Sequence, residues 1–192
     1  MSVAAELLHQ ARLAAGRSQH ALARLAGTPQ PRVSEVERAV VDPTVRTLNR
    51  LVQAAGHQLA VLPTRAATAA GAAAAIAAQL ESGPHGEDRA FRGLLGFSDG
   101  LTAAEPAVRV ALCVTEPAPT GDRRYDAAIA GLVEHHLRTN RLPVPGWVHE
   151  AERTVEPAWV VDPDAGADVA VRTPPALRRH GVLIDARELG SV

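Results

Sequence analysis

The stretch QHALARLAGTPQPRVSEV, residues 19–36, decides the fold of the N-terminal third. Leu22, Ala26, Val33 and Val36 are its apolar positions, spaced so that two short helices can pack through them. Ala23 sits where such helices would cross closely and a larger side chain would collide. Gly27 stands at the turn, where a left-handed backbone conformation suits glycine. Ser18 precedes the first of the two as an N-cap.

Working outward, Leu7, Leu8, Ala11 and Ala15 recur at helical spacing over residues 4–15, with Ser2 as a candidate cap and Gly16 as a stop. Asp42-Pro43 predicts the start of a fourth helix, Asp as N-cap and Pro in the first turn. Val45, Leu48, Leu51 and Val52 would face inward, and Gly56 would close that helix. Residues 57–62 read as a short extended segment ended by Pro63.

This pattern resembles the helix-turn-helix of Cro/cI-type (XRE-like) repressors over about residues 4–62. The resemblance implies that the second helix of the motif lies in the DNA major groove while the first braces it across the backbone. It puts Gln30, Arg32, Ser34 and Glu35 at the base edges. Gln suits adenine, Arg suits guanine, and Glu can accept from the cytosine amino group. It puts Gln19, Thr28, Arg38 and Arg46 near phosphates, which fix register without reading sequence. Pro29 and Pro31 depart from the family's usual hydroxyl or amide residues and remove backbone donors from the start of the helix. Glu35 and Glu37 have an alternative reading as intrahelical salt bridges to Arg32 or Arg38. One such domain neutralises few phosphates, so a homodimer on two half-sites about 34 Å apart is expected.

Charge is divided along the chain. Residues 1–65 hold eight Arg against four acids, a net +4, whereas residues 66–192 hold 12 Arg against 17 acids, a net −5. A basic half beside an acidic half suits one that meets a polyanion and one that does not. All 20 basic residues other than histidine are arginine, a compositional bias without mechanistic content. The single Cys113 excludes an internal disulfide and a multi-cysteine metal site and fits a reducing, cytoplasmic setting. The N-terminus lacks a signal-peptide pattern, and the alanine run near residues 72–78 is too short and weakly apolar to span a bilayer, so no membrane partner is expected.

Residues 64–86 predict an alanine-rich linker helix between a 1–63 DNA-binding domain and an 87–192 domain. Phe91, Leu94, Leu95 and Phe97 mark a helix over 88–101, and residues 107–114 suit either helix or strand. Asp122 caps the clearest C-terminal helix, with Tyr125, Ile129, Leu132, Val133, His136 and Leu137 on one face. From Leu142 onward the prolines and Trp147 and Trp159 predict irregular, extended chain. Thr173-Pro174-Pro175 opens a short helix ending at Gly181, Val182 to Ile184 is a short apolar stretch, and Asp185 caps a final turn.

Candidate catalytic chemistry is thin. Glu134, His135, His136, His149 and Glu150 cluster, but adjacent histidines point about 100° apart on a helix and miss the zinc-protease spacing. Ser82, Ser98 and Ser191 lack a nucleophile elbow, and Cys113 lies in an apolar stretch. The expectation is no enzyme, no metal and no cofactor. Trp147 and Trp159 either anchor irregular chain or, with Arg178 and Arg179, form a partner-binding surface, where Trp and Arg are enriched.

The strings PTGDRRYD (119–126), LPVPGW (142–147) and TPPALRRHGVLID (173–185) resemble the C-terminal part of actinobacterial helix-turn-helix proteins of antitoxin type. Such proteins are paired with nucleotidyltransferase-like toxins. The resemblance implies a neutralising role for the acidic half.

The expected architecture is mainly α: an N-terminal four- to five-helix Cro/cI-like domain, an alanine-rich linker helix, and a small α-rich C-terminal domain with irregular segments. The expected function is sequence-specific regulation of transcription, as an autorepressor and antitoxin, with double-stranded DNA, a second copy and a cognate toxin as partners. Two alternatives stand beside it: a regulator whose C-terminal domain senses a small metabolite, and a non-enzymatic interaction scaffold.

Overall fold

Four helices form from the N-terminal pattern: α1 (Val3–Ala14), α2 (Gln19–Leu25), α3 (Gln30–Glu37) and α4 (Val45–Ala54). They belong to a computed structural model that describes residues 2–61, 64–162, 164, 166 and 168–189. The chain separates into two compact units, Met1–Leu62 and Pro63–Val192. In the first unit Leu8, Leu22, Val33, Val36 and Leu51 are wholly buried and form the centre of its core, with Ala23, Ala26 and Val52 around them. Removing such side chains from water, at roughly 25 cal/mol per Å² of apolar surface, is what holds four short helices together.

The helix starts follow local hydrogen-bond chemistry. Ser18 caps α2 as expected, its Oγ accepting from the Ala21 N–H at 3.1 Å. Ser2 occupies the cap position of α1, yet its side chain makes no cap bond there; its hydroxyl reaches Asp42 at 3.5 Å. The start of α4 corrects the sequence reading: Thr44, not Asp42, is the cap, accepting from the Thr47 N–H at 3.3 Å. Thr44 leaves its own backbone extended, with φ −62° and ψ 154°, so the helix opens two residues later than Asp42-Pro43 suggested. Residues 57–61 carry no regular secondary structure, and Leu62 and Pro63, which the sequence made the end of that segment, lie outside the described residues.

The second unit is built around α8 (Arg123–Thr139). The sequence pattern gave this helix one apolar face, but residues 125–134 are all buried. Ala127, Ala128, Ala130 and Gly131 let neighbours approach from several sides, which is how an aromatic-poor chain fills a core. Packed on it are α5 (Ala69–Leu80), α6 (Gly86–Ala103) and α7 (Pro106–Val114). The alanine-rich α5 is capped by Thr68 and buries Ala69, Ala72, Ala73 and Ile76 in the core of this unit, chiefly against α6.

Residues 107–114, open between helix and strand, are helical, and Arg109 shows what that achieves. Its buried guanidinium donates to the Leu101, Thr102 and Ala104 carbonyls at 2.5, 3.0 and 2.8 Å. It therefore satisfies carbonyl groups that the end of α6 leaves open.

After α8 the chain runs through short 3-10 turns at Gly146–His149 and Ala151–Arg153. It continues through β1 (Trp159–Val160), α9 (Val169–Arg172), α10 (Pro175–Arg179), β2 (Val182–Leu183) and a last 3-10 turn at Ala186–Leu189. The two strands pair in parallel, Trp159 opposite Val182 and Val160 opposite Leu183. Ser191 lies outside the described residues.

Trp147 is a correction to the surface reading. It is buried, its indole N–H donates to the Cys113 carbonyl at 3.0 Å, and the Arg153 guanidinium lies 5.3 Å from its ring centroid. A ring committed in this way anchors the irregular chain and offers no face to a partner.

Candidate nucleic-acid interface

The turn between α2 and α3 is set by backbone bonds around Gly27. Its φ is +60°, and the N–H groups of Gly27 and Thr28 return to the carbonyls of Arg24 and Ala23 at 3.3 and 2.9 Å. This paired closure ends α2 and aims the chain into α3. Pro29 takes the cap position of α3 and Pro31 falls in its first turn, so the helix survives both prolines. The Arg32 N–H already bonds to the Pro29 carbonyl at 3.1 Å, which leaves Gln30 as the remaining backbone donor of that turn for an anion.

One side of α3 is core: Val33, Val36 and Glu37 are buried. Outside it lie Gln30, Arg32, Ser34 and Glu35, each half-buried, and the exposed Arg38. Ser34 and Glu35 lie on the side of α3 away from the core, while Gln30 and Arg32 flank the buried face from opposite edges, about 160° apart around the axis. Arg32 and Glu35 pair at 3.4 Å across one turn, one of the two partners the sequence allowed for Glu35. Arg38 donates to the Ser34 carbonyl at 3.3 Å. Thr28 is half-buried at the turn, and Arg46 is exposed in the first turn of α4.

Glu37 does not pair with Arg32 or Arg38. It turns inward and takes a two-pronged contact from Arg12 of α1, with Nε to Oε1 at 2.6 Å and Nη2 to Oε2 at 3.0 Å. Gln19 of α2 donates to the same carboxylate at 2.9 Å, and Gln30 donates to the Gln19 amide oxygen at 2.9 Å. A relay therefore runs from buried Arg12 through Glu37 and Gln19 to Gln30 on the recognition face, and it fixes the side chain that would meet a base edge. Burial alone would raise the Glu37 carboxyl. Hydrogen bonds from Arg12, Gln19 and His9 outweigh it and hold the pKa below the ordinary value. The signal missed in the sequence is positional: Glu37 stands one turn after Val33, a core position that a lone carboxylate does not occupy unpaired.

In the second unit, two members of the acid–histidine cluster, Glu134 and His136, are buried and hydrogen-bonded within the core. Glu134 is buried and accepts from Arg138 at 2.7 Å and Arg179 at 3.0 Å, with His180 Nε2 at 3.2 Å. Burial depresses the His136 pKa to about 4, and that ring bonds to Ser98 Oγ at 2.9 Å while Ser98 donates to the Leu189 carbonyl. Burial likewise pushes the Cys113 thiol up to about 12, away from a reactive thiolate. Among the described residues no group of three His, Cys, Asp or Glu side chains could hold a metal ion, and no helix is long and apolar enough to cross a membrane.

Of the residues expected at a partner surface, Trp159 is half-buried, 5.3 Å from the Tyr125 ring and with Arg124 at 5.3 Å from its own. Arg178 is exposed and donates to the Ala170 carbonyl at 3.0 Å, while Arg179 is held by Glu134.

Residues 8–59 match the protein family described as helix-turn-helix. The match falls within the N-terminal unit and supports a DNA-binding regulator of transcription. No curated protein and no solved structure matches the chain.

Proposed function

We propose that the protein is a homodimeric, sequence-specific repressor of its own operon, with α3 in the major groove. The observation that carries this reading is the set of Gln30, Arg32, Ser34 and Glu35 outside the buried face of α3, with Gln30 braced from the core, in the basic stretch of residues 1–65 with net charge +4. Gln19, Thr28, Arg38 and Arg46 are the proposed phosphate contacts. Fluorescence anisotropy on the DNA upstream of the gene, against a scrambled duplex at two salt concentrations, tests it. Tight, salt-weakened binding to the upstream duplex alone is expected; equal weak binding to both would overturn it.

Two substitutions separate base reading from phosphate contact. Arg32→Ala is expected to lose about 1–3 kcal/mol of specific binding while leaving affinity for the scrambled duplex nearly unchanged. Arg46→Ala is expected to weaken both duplexes alike and to lower the salt slope by about one.

Within this reading the second unit, which contains the acidic stretch of residues 66–192 with net charge −5, neutralises a basic toxin of the nucleotidyltransferase class, with Trp159, Arg178 and Arg179 on the contact surface. Opposite charge and the three C-terminal strings support it. Co-expression with the neighbouring gene product should give co-purification and rescue of growth; absence of both removes the antitoxin role. A second reading, a ligand-responsive regulator, is favoured by one feature: a cavity of about 1000 Å³ in the second unit.

A further inference from the structure

We propose that this cavity is a binding site for a medium-chain carboxylate, an anionic head on an apolar tail. The inference deepens the ligand-responsive reading and rests on it.

The cavity is a trough along α5 and α6, closed by the chain before α5 and by the start of α7. Its floor is apolar: Ile76 and Phe97 are buried there, with Val108 beside them. Small residues keep it open. Gly93 and Gly96 line it from α6, and a Cβ added at Gly96 would meet no atom within 4 Å. Leucine or methionine at these positions would fill the trough from above. Its apolar lining and size suit a small organic molecule rather than a bare ion.

The charge at one end selects the head group. Arg89 and Arg92 both line the cavity near the start of α6. Arg89 is held in place by neutral groups, donating to Gln79 Oε1 at 2.7 Å and to the Ser82 carbonyl and hydroxyl at 3.1 and 2.6 Å. Arg92 makes no hydrogen bond or ion pair with another described residue, and neither guanidinium has a carboxylate partner among them. The nearby acids are otherwise engaged, Glu87 with Arg124 and Asp88 with His85. Two uncompensated guanidinium groups one turn apart attract a carboxylate.

From Arg92 to Gly100 the trough runs about 12 Å along α6, and Arg65, Asp99 and Glu105 line it as well. The apolar floor of Ile76, Phe97 and Val108 takes the tail of such a ligand.

Residues 64–67, which form one wall, directly follow the N-terminal unit in the chain, and Ala66 lies against Gly100. Occupancy of the trough would restrain that connecting segment and so alter how the helix-turn-helix unit engages two half-sites.

The test uses the full-length protein and decanoate, with decanol and decyltrimethylammonium as neutral and cationic probes of the same tail. Calorimetry without DNA should show saturable binding of decanoate at one per chain, with decanol at least about tenfold weaker and the cation not bound. Arg92→Gln should weaken decanoate about tenfold and leave decanol unchanged. Gly96→Leu should abolish both, with helix content retained in circular dichroism because the position is open. Equal binding of acid and alcohol, no binding at all, or indifference to both substitutions would overturn the site. A dimer that dissociates on Gly96→Leu, seen by light scattering, would also overturn it by making a second copy the occupant. Anisotropy on the operator duplex then reads the coupling separately. Decanoate binding with unchanged DNA affinity would sink the ligand-responsive reading while the site stands; loss of DNA binding in every condition would count against the helix-turn-helix role alone.

Discussion

Arg12→Ala is expected to destabilise the N-terminal unit by about 3 kcal/mol or more and to loosen Gln30 on the recognition face. The side chains of Arg12 and Glu37 are only 11% and 4% exposed, so deleting the cation leaves a buried carboxylate with Gln19 and His9 as its remaining partners. Breaking a buried pair from one side typically costs about 3–5 kcal/mol, well above the worth of an exposed pair. Urea unfolding followed by circular dichroism checks the stability, and the same variant, at a temperature where it remains folded, should bind operator DNA more weakly. Native stability together with native affinity would show that the relay is idle.

The same pair carries a pH dependence with a defined sign. The folded pKa of Glu37 lies below the ordinary carboxylate value of 4.5. The pair's contribution is therefore fully present above that value and is lost as pH falls through the lower, folded pKa. Wild type should lose stability on acidification in that range, and Glu37→Gln should remove that component of the slope.

Gly181→Ala is the second large effect, expected to cost the C-terminal unit more than about 3 kcal/mol. Gly181 closes α10 with φ at +75°, where an L side chain is strained, and a Cβ there would collide with the Val155 carbonyl oxygen. That backbone cannot simply yield. The Val155 N–H donates to the His180 carbonyl at 3.1 Å, and the Trp159 N–H donates to the Gly181 carbonyl at 2.8 Å beside the strand pair. Thermal unfolding should show a lower Tm for the transition of the C-terminal unit. An unchanged Tm would mean that the 150s segment does not pack against Gly181.

Much of the first unit was legible in residues 2–56 because its information is local. Apolar spacing set the helices, although Val45, expected to face inward, is exposed in the first turn of α4; Gly16, Gly27 and Gly56, all at positive φ, mark where helices stop. Ser18 and Asp122 acted as the caps their chemistry predicts, accepting from Ala21 and Arg124. Which side of α3 is turned away from the core follows from 3.6-residue geometry once α3 is known.

Tertiary structure alone decided the partners. Glu37 had Arg32 and Arg38 nearby in sequence, yet it bonds to Arg12, 25 positions away, because the face it shares with Val33 is turned to the core. Trp147 carried no sign of whether it was inside or out until the Cys113 carbonyl came within 3.0 Å of its indole nitrogen. The alanine stretch predicted α5 but not that Ala69, Ala72, Ala73 and Ile76 would enter the core beside α6. Periodicity states which face of a segment avoids water; it does not state which distant surface will cover that face. Helix spans, caps and turns were therefore set by neighbours along the chain, whereas the buried ion pair, the parallel strand pair and the trough between α5 and α6 arose only when segments far apart in sequence excluded water together.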